Sequence, residues 1–172
     1  MTRKAPIVNL GDLPLEDYGN GAHFAAMLGR VGSTLGTRQI GCTLVVLEPG
    51  KRAWPYHLHY GQEELFVVLD GEGTLRYDGD ELPIRAGDAV LTPPGPNTAH
   101  QIVNTSEREL RYLALSGMQL PEVCFYPDSG KYGAYFGEEE KHGFIAREES
   151  AVDYWLDEGT GAPAPSSPES GG

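Results

Sequence analysis

The sequence predicts an all-β domain of the barrel or sandwich kind, carrying an arm at each end. Three observations carry that prediction. Between Gln39 and Ser116, short β-rich runs recur at roughly 8 to 12 residue intervals, the spacing of such folds. Explicit turn residues separate the runs, and no long helical periodicity interrupts them.

Taken in order, the runs are Gly41–Leu47, Ala53–His59, Glu64–Leu69, Thr74–Tyr77, Ala89–Thr92, Ala99–Val103 and Leu110–Ser116. Pro49-Gly50, Asp70-Gly71-Glu72-Gly73, Asp78-Gly79, Ala86-Gly87-Asp88 and Pro93-Pro94-Gly95-Pro96 punctuate them. Asp78-Gly79, between Leu75-Arg76-Tyr77 and Glu81-Leu82-Pro83-Ile84, is the clearest hairpin signal, because a type I′ turn needs positive φ at both central residues. Residues 1–36 carry short apolar pieces, Ile7-Val8 and Phe24-Ala25-Ala26-Met27-Leu28, divided by Gly and Pro, and read as an arm of short strands. Residues 37–120 form the expected core. Residues 121–158 read as an extension that packs on the core or on a second copy of the chain, with a short helix at Glu148–Leu156. Residues 159–172 are Gly, Pro, Ser, Ala and one Thr with one acidic residue, too poor in apolar surface to offset ordering entropy, and are expected to be disordered.

A length of 172 residues allows one well-buried core and not two comfortable domains. The net charge of -12 argues against nucleic acid, whose binding depends on Lys and Arg replacing phosphate counterions. No apolar run approaches the ~20 residues of a membrane span, and no long apolar segment follows the basic start, so the expected compartment is the cytoplasm. Cys42 and Cys124 are far apart and lie among apolar neighbours, as buried structural thiols do.

The chemistry lies in two segments. In Tyr56-His57-Leu58-His59 the two histidines are spaced i and i+2, so on an extended strand their side chains share a face and can grip one ion. Such a pair alone is as well explained by two exposed strand histidines. Glu64 follows a turn at Gly61 and would approach the same point from the next strand. Glu63 would point the opposite way by alternation. A second Pro/Gly turn, Pro93 to Pro96, precedes His100, which would supply a fourth ligand from a third strand. Three or four N/O ligands with open positions suit a divalent transition metal.

Together these segments resemble the two signature motifs of the cupin superfamily, G-x5-H-x-H-x3or4-E-x6-G and G-x5-P-x-G-x2-H-x3-N. The first is met by His57, His59, Glu64 and Gly71, with Gly50 one residue further back than the written form. The second is met by Gly87, Pro93, Gly95, His100 and Asn104, with two extra residues between Gly95 and His100. The sequence is also similar to small bacterial single-domain cupins that carry Pro-Pro-Gly-Pro-x-Thr-Ala-His-Gln and then Tyr-Pro-Asp-Ser-Gly-Lys, here Pro93–Gln101 and Tyr126–Lys131. That group is commonly labelled as sugar-phosphate isomerases.

The resemblance implies a double-stranded β-helix, or jelly-roll barrel, holding one divalent metal (Fe, Mn, Zn or Ni) on His57, His59, Glu64 and His100, and a homodimer. It implies a metal-dependent enzyme acting on a small oxygenated molecule, of isomerase, dioxygenase or lyase type. The alternative is a non-catalytic metal cupin that binds a small carboxylate or sugar. Strand parity adds Gln62 and Phe66 on the face of Glu64, and Thr98 and Ile102 on that of His100, as pocket residues. No Ser-His-Asp or paired-carboxylate arrangement supplies a general base. A phosphorylated substrate finds no glycine-rich phosphate loop, only Lys51-Arg52 near the first motif. The aromatic set Phe125, Tyr126, Tyr132, Tyr135 and Phe136 could form a lid, a packed strand or a dimer contact.

Overall fold

The computed structural model describes residues 6–137 and 142–159, so the tail expected at 159–172 lies, past Gly159, outside the described residues. The strands are β1 (Glu16–Asn20), β2 (Phe24–Gly29), β3 (Ile40–Leu47), β4 (Leu58–His59), β5 (Glu64–Asp70), β6 (Glu72–Tyr77), β7 (Asp80–Arg85), β8 (Ala89–Thr92), β9 (His100–Val103), β10 (Leu110–Gly117), β11 (Glu122–Tyr126), β12 (Lys131–Phe136) and β13 (His142–Arg147). One short helix, α1 (Val31–Leu35), leads into β3 and ends on Gly36 in the left-handed conformation.

The strands form a six-stranded sheet in the order β1-β2-β3-β10-β5-β8, a four-stranded sheet β13-β12-β11-β4 and a three-stranded sheet β7-β6-β9. A bridge between His57 and His100 joins the last two sheets, with His57 N–H donating to His100 O at 3.2 Å and His100 N–H to His57 O at 2.7 Å. The result is the expected jelly roll. Its interior is packed by Val45, Leu47, Phe66, Val68, Leu110 and Tyr112 from the large sheet against Leu75, Ile84 and Ile102 from β6, β7 and β9. The other face of β3, Leu44 and Val46, is covered by Leu13 and Val31. Burial on both faces is why β3 reads as a continuous apolar run rather than an alternating one.

Two turns behave as their residues require. Asp78 and Gly79 take φ of 47° and 91°, the left-handed pair that closes β6 onto β7, with Tyr77 opposite Asp80. Gly71 has φ of 81°, and a Cβ there would run into the Glu109 carbonyl, so the β5–β6 corner admits only glycine.

Some expectations need correction. The run Ala53–His59 is a strand only at Leu58–His59. Pro55 has no N–H to give a ladder, and the carbonyls around it are taken by side chains, Trp54 O by Gln101 Nε2 at 2.7 Å and Pro55 O by the His57 ring at 2.8 Å. The helix expected at Glu148–Leu156 is a 3-10 turn over Glu148–Ser150 followed by turns. Val152, Tyr154, Trp155 and Leu156 are all exposed. A segment this short with no surface to bury its apolar side is not held helical by propensity alone. Short strands do occur in residues 1–36, β1 and β2, and β2 pairs onto the six-stranded sheet through Met27, Leu28 and Gly29 opposite Val46, Val45 and Leu44.

Candidate metal centre

His57, His59, Glu64 and His100 meet at one point, each offering a ligand atom within 4.8 Å of the others. β4 brings His59, the residue just before it brings His57 through its bridge to His100, the start of β5 brings Glu64, and β9 brings His100. The Nε2 atoms of His100, His59 and His57 lie 2.8, 3.3 and 3.8 Å from the same oxygen, Glu64 Oε2. The opposite ring nitrogens are engaged elsewhere. His57 Nδ1 donates to Pro55 O at 2.8 Å and His100 Nδ1 to Thr98 O at 3.0 Å, a tautomer assigned from these contacts. His59 Nδ1 lies 3.3 Å from Glu122 Oε1 and 3.4 Å from Cys124 Sγ.

This arrangement fits a metal ion. With Nδ1 protonated, each Nε2 presents its lone pair to the centre, which is how metal-bound histidines are held. The contact of His59 Nε2 with Glu64 lacks hydrogen-bond geometry, leaving that nitrogen buried with no hydrogen-bond partner. A buried ring nitrogen without a hydrogen bond costs about 1–3 kcal/mol, and a cation shared with the carboxylate oxygen and the two other ring nitrogens would satisfy it.

Protonation in the metal-free cluster is uneven. Burial, and then the neighbouring His100, hold His57 down at about 4. Burial also opposes charge on His59, but its contacts with Cys124 and Glu64 outweigh it and push His59 up to about 10. Burial would raise Glu64, yet the rings of His100 and His59 hold it well below the usual carboxylate range.

The loop carrying the second Pro/Gly turn is tied to the histidine strand, for Gly95 N–H donates to His59 O at 2.7 Å. Asn104, fully buried, donates to Leu47 O at 2.8 Å and Arg108 O at 2.7 Å and accepts from Ser106 N and Oγ at 3.0 and 2.9 Å. It fastens the end of β9 to the ends of β3 and β10.

Above the cluster opens a cavity of about 630 Å³ whose walls include Tyr18, Arg30, Trp54, Tyr126 and Lys131. Gln62 lines it from the loop before β5, where strand parity does not apply, with its amide donating to Gln119 O at 2.8 Å. Phe66 and Ile102 line instead a void of about 20 Å³ on the inner side of the cluster. Thr98 lines neither. It precedes β9, so strand parity does not apply to it, and its hydroxyl donates to Gly95 O at 2.6 Å. Lys51 lies away from this cavity, its ammonium on Ala22 O at 2.7 Å.

The aromatic extension is part of the site. β11 pairs with β4, Cys124 opposite His59 and Phe125 opposite Leu58. Tyr126 stacks on the His57 ring at 6.0 Å and shares a hydrogen bond of 3.0 Å with the Tyr135 hydroxyl. Burial, then the bond to Tyr135, push the Tyr126 phenol far above its ordinary value, so it remains a proton donor. Glu122 and Cys124 were not found as site residues in the sequence, and Tyr126 entered only within the aromatic set read as a lid, a packed strand or a dimer contact. The signal for Glu122 and Cys124 is alternation on one strand, which acquires meaning once β11 is known to pair with β4.

Comparison with known proteins gives the same picture. Auxin-binding protein 1 of Arabidopsis thaliana is 34% identical over 134 residues, 72% of this chain and 65% of the relative. The oxalate-binding protein of Thermotoga maritima is 39% identical over 59 residues, 34% of this chain and 47% of the relative. The chain therefore spans 65% and 47% of the lengths of these two curated relatives. Among solved structures, that of a proposed sugar phosphate isomerase from Acidithiobacillus ferrooxidans matches with a TM-score of 0.75 and 26% identity, covering 86% of this chain and 95% of that one. A family model described as a cupin domain matches residues 43–116, the stretch that runs from β3 through both histidine segments to β10. With a jelly roll whose three histidines and one glutamate converge from β4 and the residue before it, β5 and β9, the chain belongs to the cupin superfamily.

Proposed function

We propose that this cupin holds one divalent transition metal (Fe, Mn, Zn or Ni) on His57, His59, Glu64 and His100 and acts on a small oxygenated molecule, as an isomerase, dioxygenase or lyase. The observation that carries this reading is the convergence of three Nε2 atoms on Glu64 Oε2 while the Nδ1 atoms are held by other partners. A bound ion would act as a Lewis acid and as a template for adjacent substrate oxygens. The chain's own residues shape the rest. Gln62, Trp54 and Tyr126 line the approach, Tyr126 offers a hydroxyl proton, and Arg30 and Lys131 offer positive charge to an anionic substrate end.

A second reading, a non-catalytic metal cupin that binds a small carboxylate or sugar, is favoured by the names of the two curated relatives, both of which are binding proteins. It uses the same residues. The cations in the cavity suit a carboxylate under either reading.

Elemental analysis of anaerobically purified protein tests the proposal. About one equivalent of metal per chain is expected, and its loss in His57→Ala and Glu64→Ala. Wild-type protein that takes up no metal from any of the four ions would end it. Turnover of small hydroxy- or keto-acids by the loaded protein would select the enzyme, and saturable binding without turnover, aerobically and anaerobically, the binding protein.

A further inference from the structure

The three histidines of the cluster are not held alike. His57 and His100 give their Nδ1 protons to backbone carbonyls, Pro55 O and Thr98 O. His59 Nδ1 instead faces two side chains of β11, Cys124, whose Sγ at 3.4 Å has hydrogen-bond geometry, and the carboxylate of Glu122, 3% exposed, in ion-pair contact at 3.3 Å. Glu122 Oε1 accepts the backbone N–H groups of Tyr60 at 3.1 Å and Gly61 at 3.4 Å and lies 3.3 Å from His59 Nδ1. Its second oxygen is buried without a hydrogen-bond partner.

The fold makes room for this group deliberately at one position. A Cβ on Gly61 would stand 2.8 Å from Glu122 Oε2, so a side chain there would press on the carboxylate. Glu122 and Cys124 are two apart on β11 and share a face, and Cys124 lies directly opposite His59 in the β11–β4 ladder. The register therefore aims both at the same ring.

Resting on the metal reading above, we propose that Glu122 is a positioning residue for the metal centre. It acts through His59, fixing the ring with Nδ1 protonated and Nε2 toward the ion, and strengthening that nitrogen as a donor relative to those of His57 and His100. A carboxylate behind a metal-bound imidazole does this by accepting its remaining proton, and its removal typically weakens metal binding by about 10- to 100-fold. The anchor for Glu122 is the pair of backbone N–H groups just after His59, so a shift of the β4–β5 turn would move carboxylate and ligand together.

The test is zinc titration of metal-stripped full-length protein by calorimetry, with thermal melting of the metal-free form and the visible spectrum of the cobalt form. Glu122→Gln keeps an oxygen for the Tyr60 and Gly61 N–H groups and removes the carboxylate. It is expected to leave the metal-free melting temperature unchanged, to weaken zinc binding about 10-fold or more, and to shift the cobalt spectrum. Glu122→Ala should weaken zinc binding further.

Glu122→Gln with wild-type zinc affinity and an unchanged cobalt spectrum would overturn the proposal, leaving Glu122 a structural bond for the turn. Two zinc equivalents in the wild type, with one lost in Cys124→Ser, would also overturn it, in favour of a second ion on His59, Glu122 and Cys124. Wild-type protein that binds no zinc, iron, manganese or nickel would instead remove the metal reading itself.

Discussion

At the scale of single residues, the cluster makes a prediction about pH. The pKa of Glu64 is depressed, so its contribution to stability is present above its ordinary value of 4.5 and lost as pH falls. His57, lowered from 6.5 to about 4, refuses a proton that the unfolded chain accepts, so stability also falls as pH drops from 6.5 toward 4. His59, raised from 6.5 to about 10, works the other way, its contribution complete below 6.5 and lost as pH rises toward 10. The three windows meet, and thermal melting of the metal-free protein should peak near pH 6.5. The alkaline limb should vanish in His59→Asn. Because an ion must displace the proton on His59, zinc binding at pH 8 should release about one proton, read from calorimetry in buffers of different ionisation enthalpy. No proton release would contradict the raised value.

The four cluster residues were legible in the sequence because alternation, one turn and the spacing to Gly71 are local properties of the chain. Glu122 and Cys124 were not, since their meaning arises from a ladder between β4 and β11, more than sixty residues apart in sequence for Cys124 and His59. Cys124 among Val123 and Phe125 reads as a buried hydrophobe, and it is buried. What the sequence lacks is the partner across the ladder.

At the scale of elements, the site depends on how strand ends are fastened. Asn104 joins the ends of three strands, and each of its polar atoms is used. Asn104→Ala removes those bonds and leaves Leu47 O without that donor in a buried corner, at a cost of about 2–4 kcal/mol. Chemical denaturation should show a lower midpoint with an unchanged slope. A loss under 1 kcal/mol would mean that water replaces the amide.

The β4 segment is the element that pattern described least well, because a seven-residue run of apparent strand is mostly irregular backbone satisfied by side chains of other elements. Arg76 on β6 shows how. Its guanidinium lies 4.3 Å over the Tyr56 ring and bonds Gln101 at 2.8 Å and Asp128 at 2.9 and 3.1 Å. This fastens the β11–β12 turn beside the histidine strand. The hairpin at Asp78-Gly79 was legible, by contrast, because a two-residue turn carries its whole geometry within itself.

At the scale of the molecule, the outer face of the large sheet argues for the expected homodimer. On β5, Glu64, Phe66 and Val68 point inward, so Leu65, Val67 and Leu69 point out. The registers set Cys42, Leu115, Leu65 and Leu91 in one row across β3, β10, β5 and β8, and Leu44, Leu113, Val67 and Ala89 in the next. The row begins under the arm and ends open, with Leu65 38% and Leu91 53% exposed. In a chain of net charge -12, an uncharged row is the surface on which two copies can meet without burying like charges. A two-fold axis would place the same patch on both sides of the contact.

We therefore expect sedimentation to give twice the chain mass of 18.6 kDa. Leu91→Arg should yield a monomer that still binds one equivalent of metal, because Leu91 points away from the cluster while its neighbour Thr92 points inward. Phe144→Arg, on the aromatic extension, should leave the dimer intact. A monomeric wild type would refute the assembly, and monomers from Phe144→Arg alone would move the contact to the extension, where its aromatic residues first suggested it.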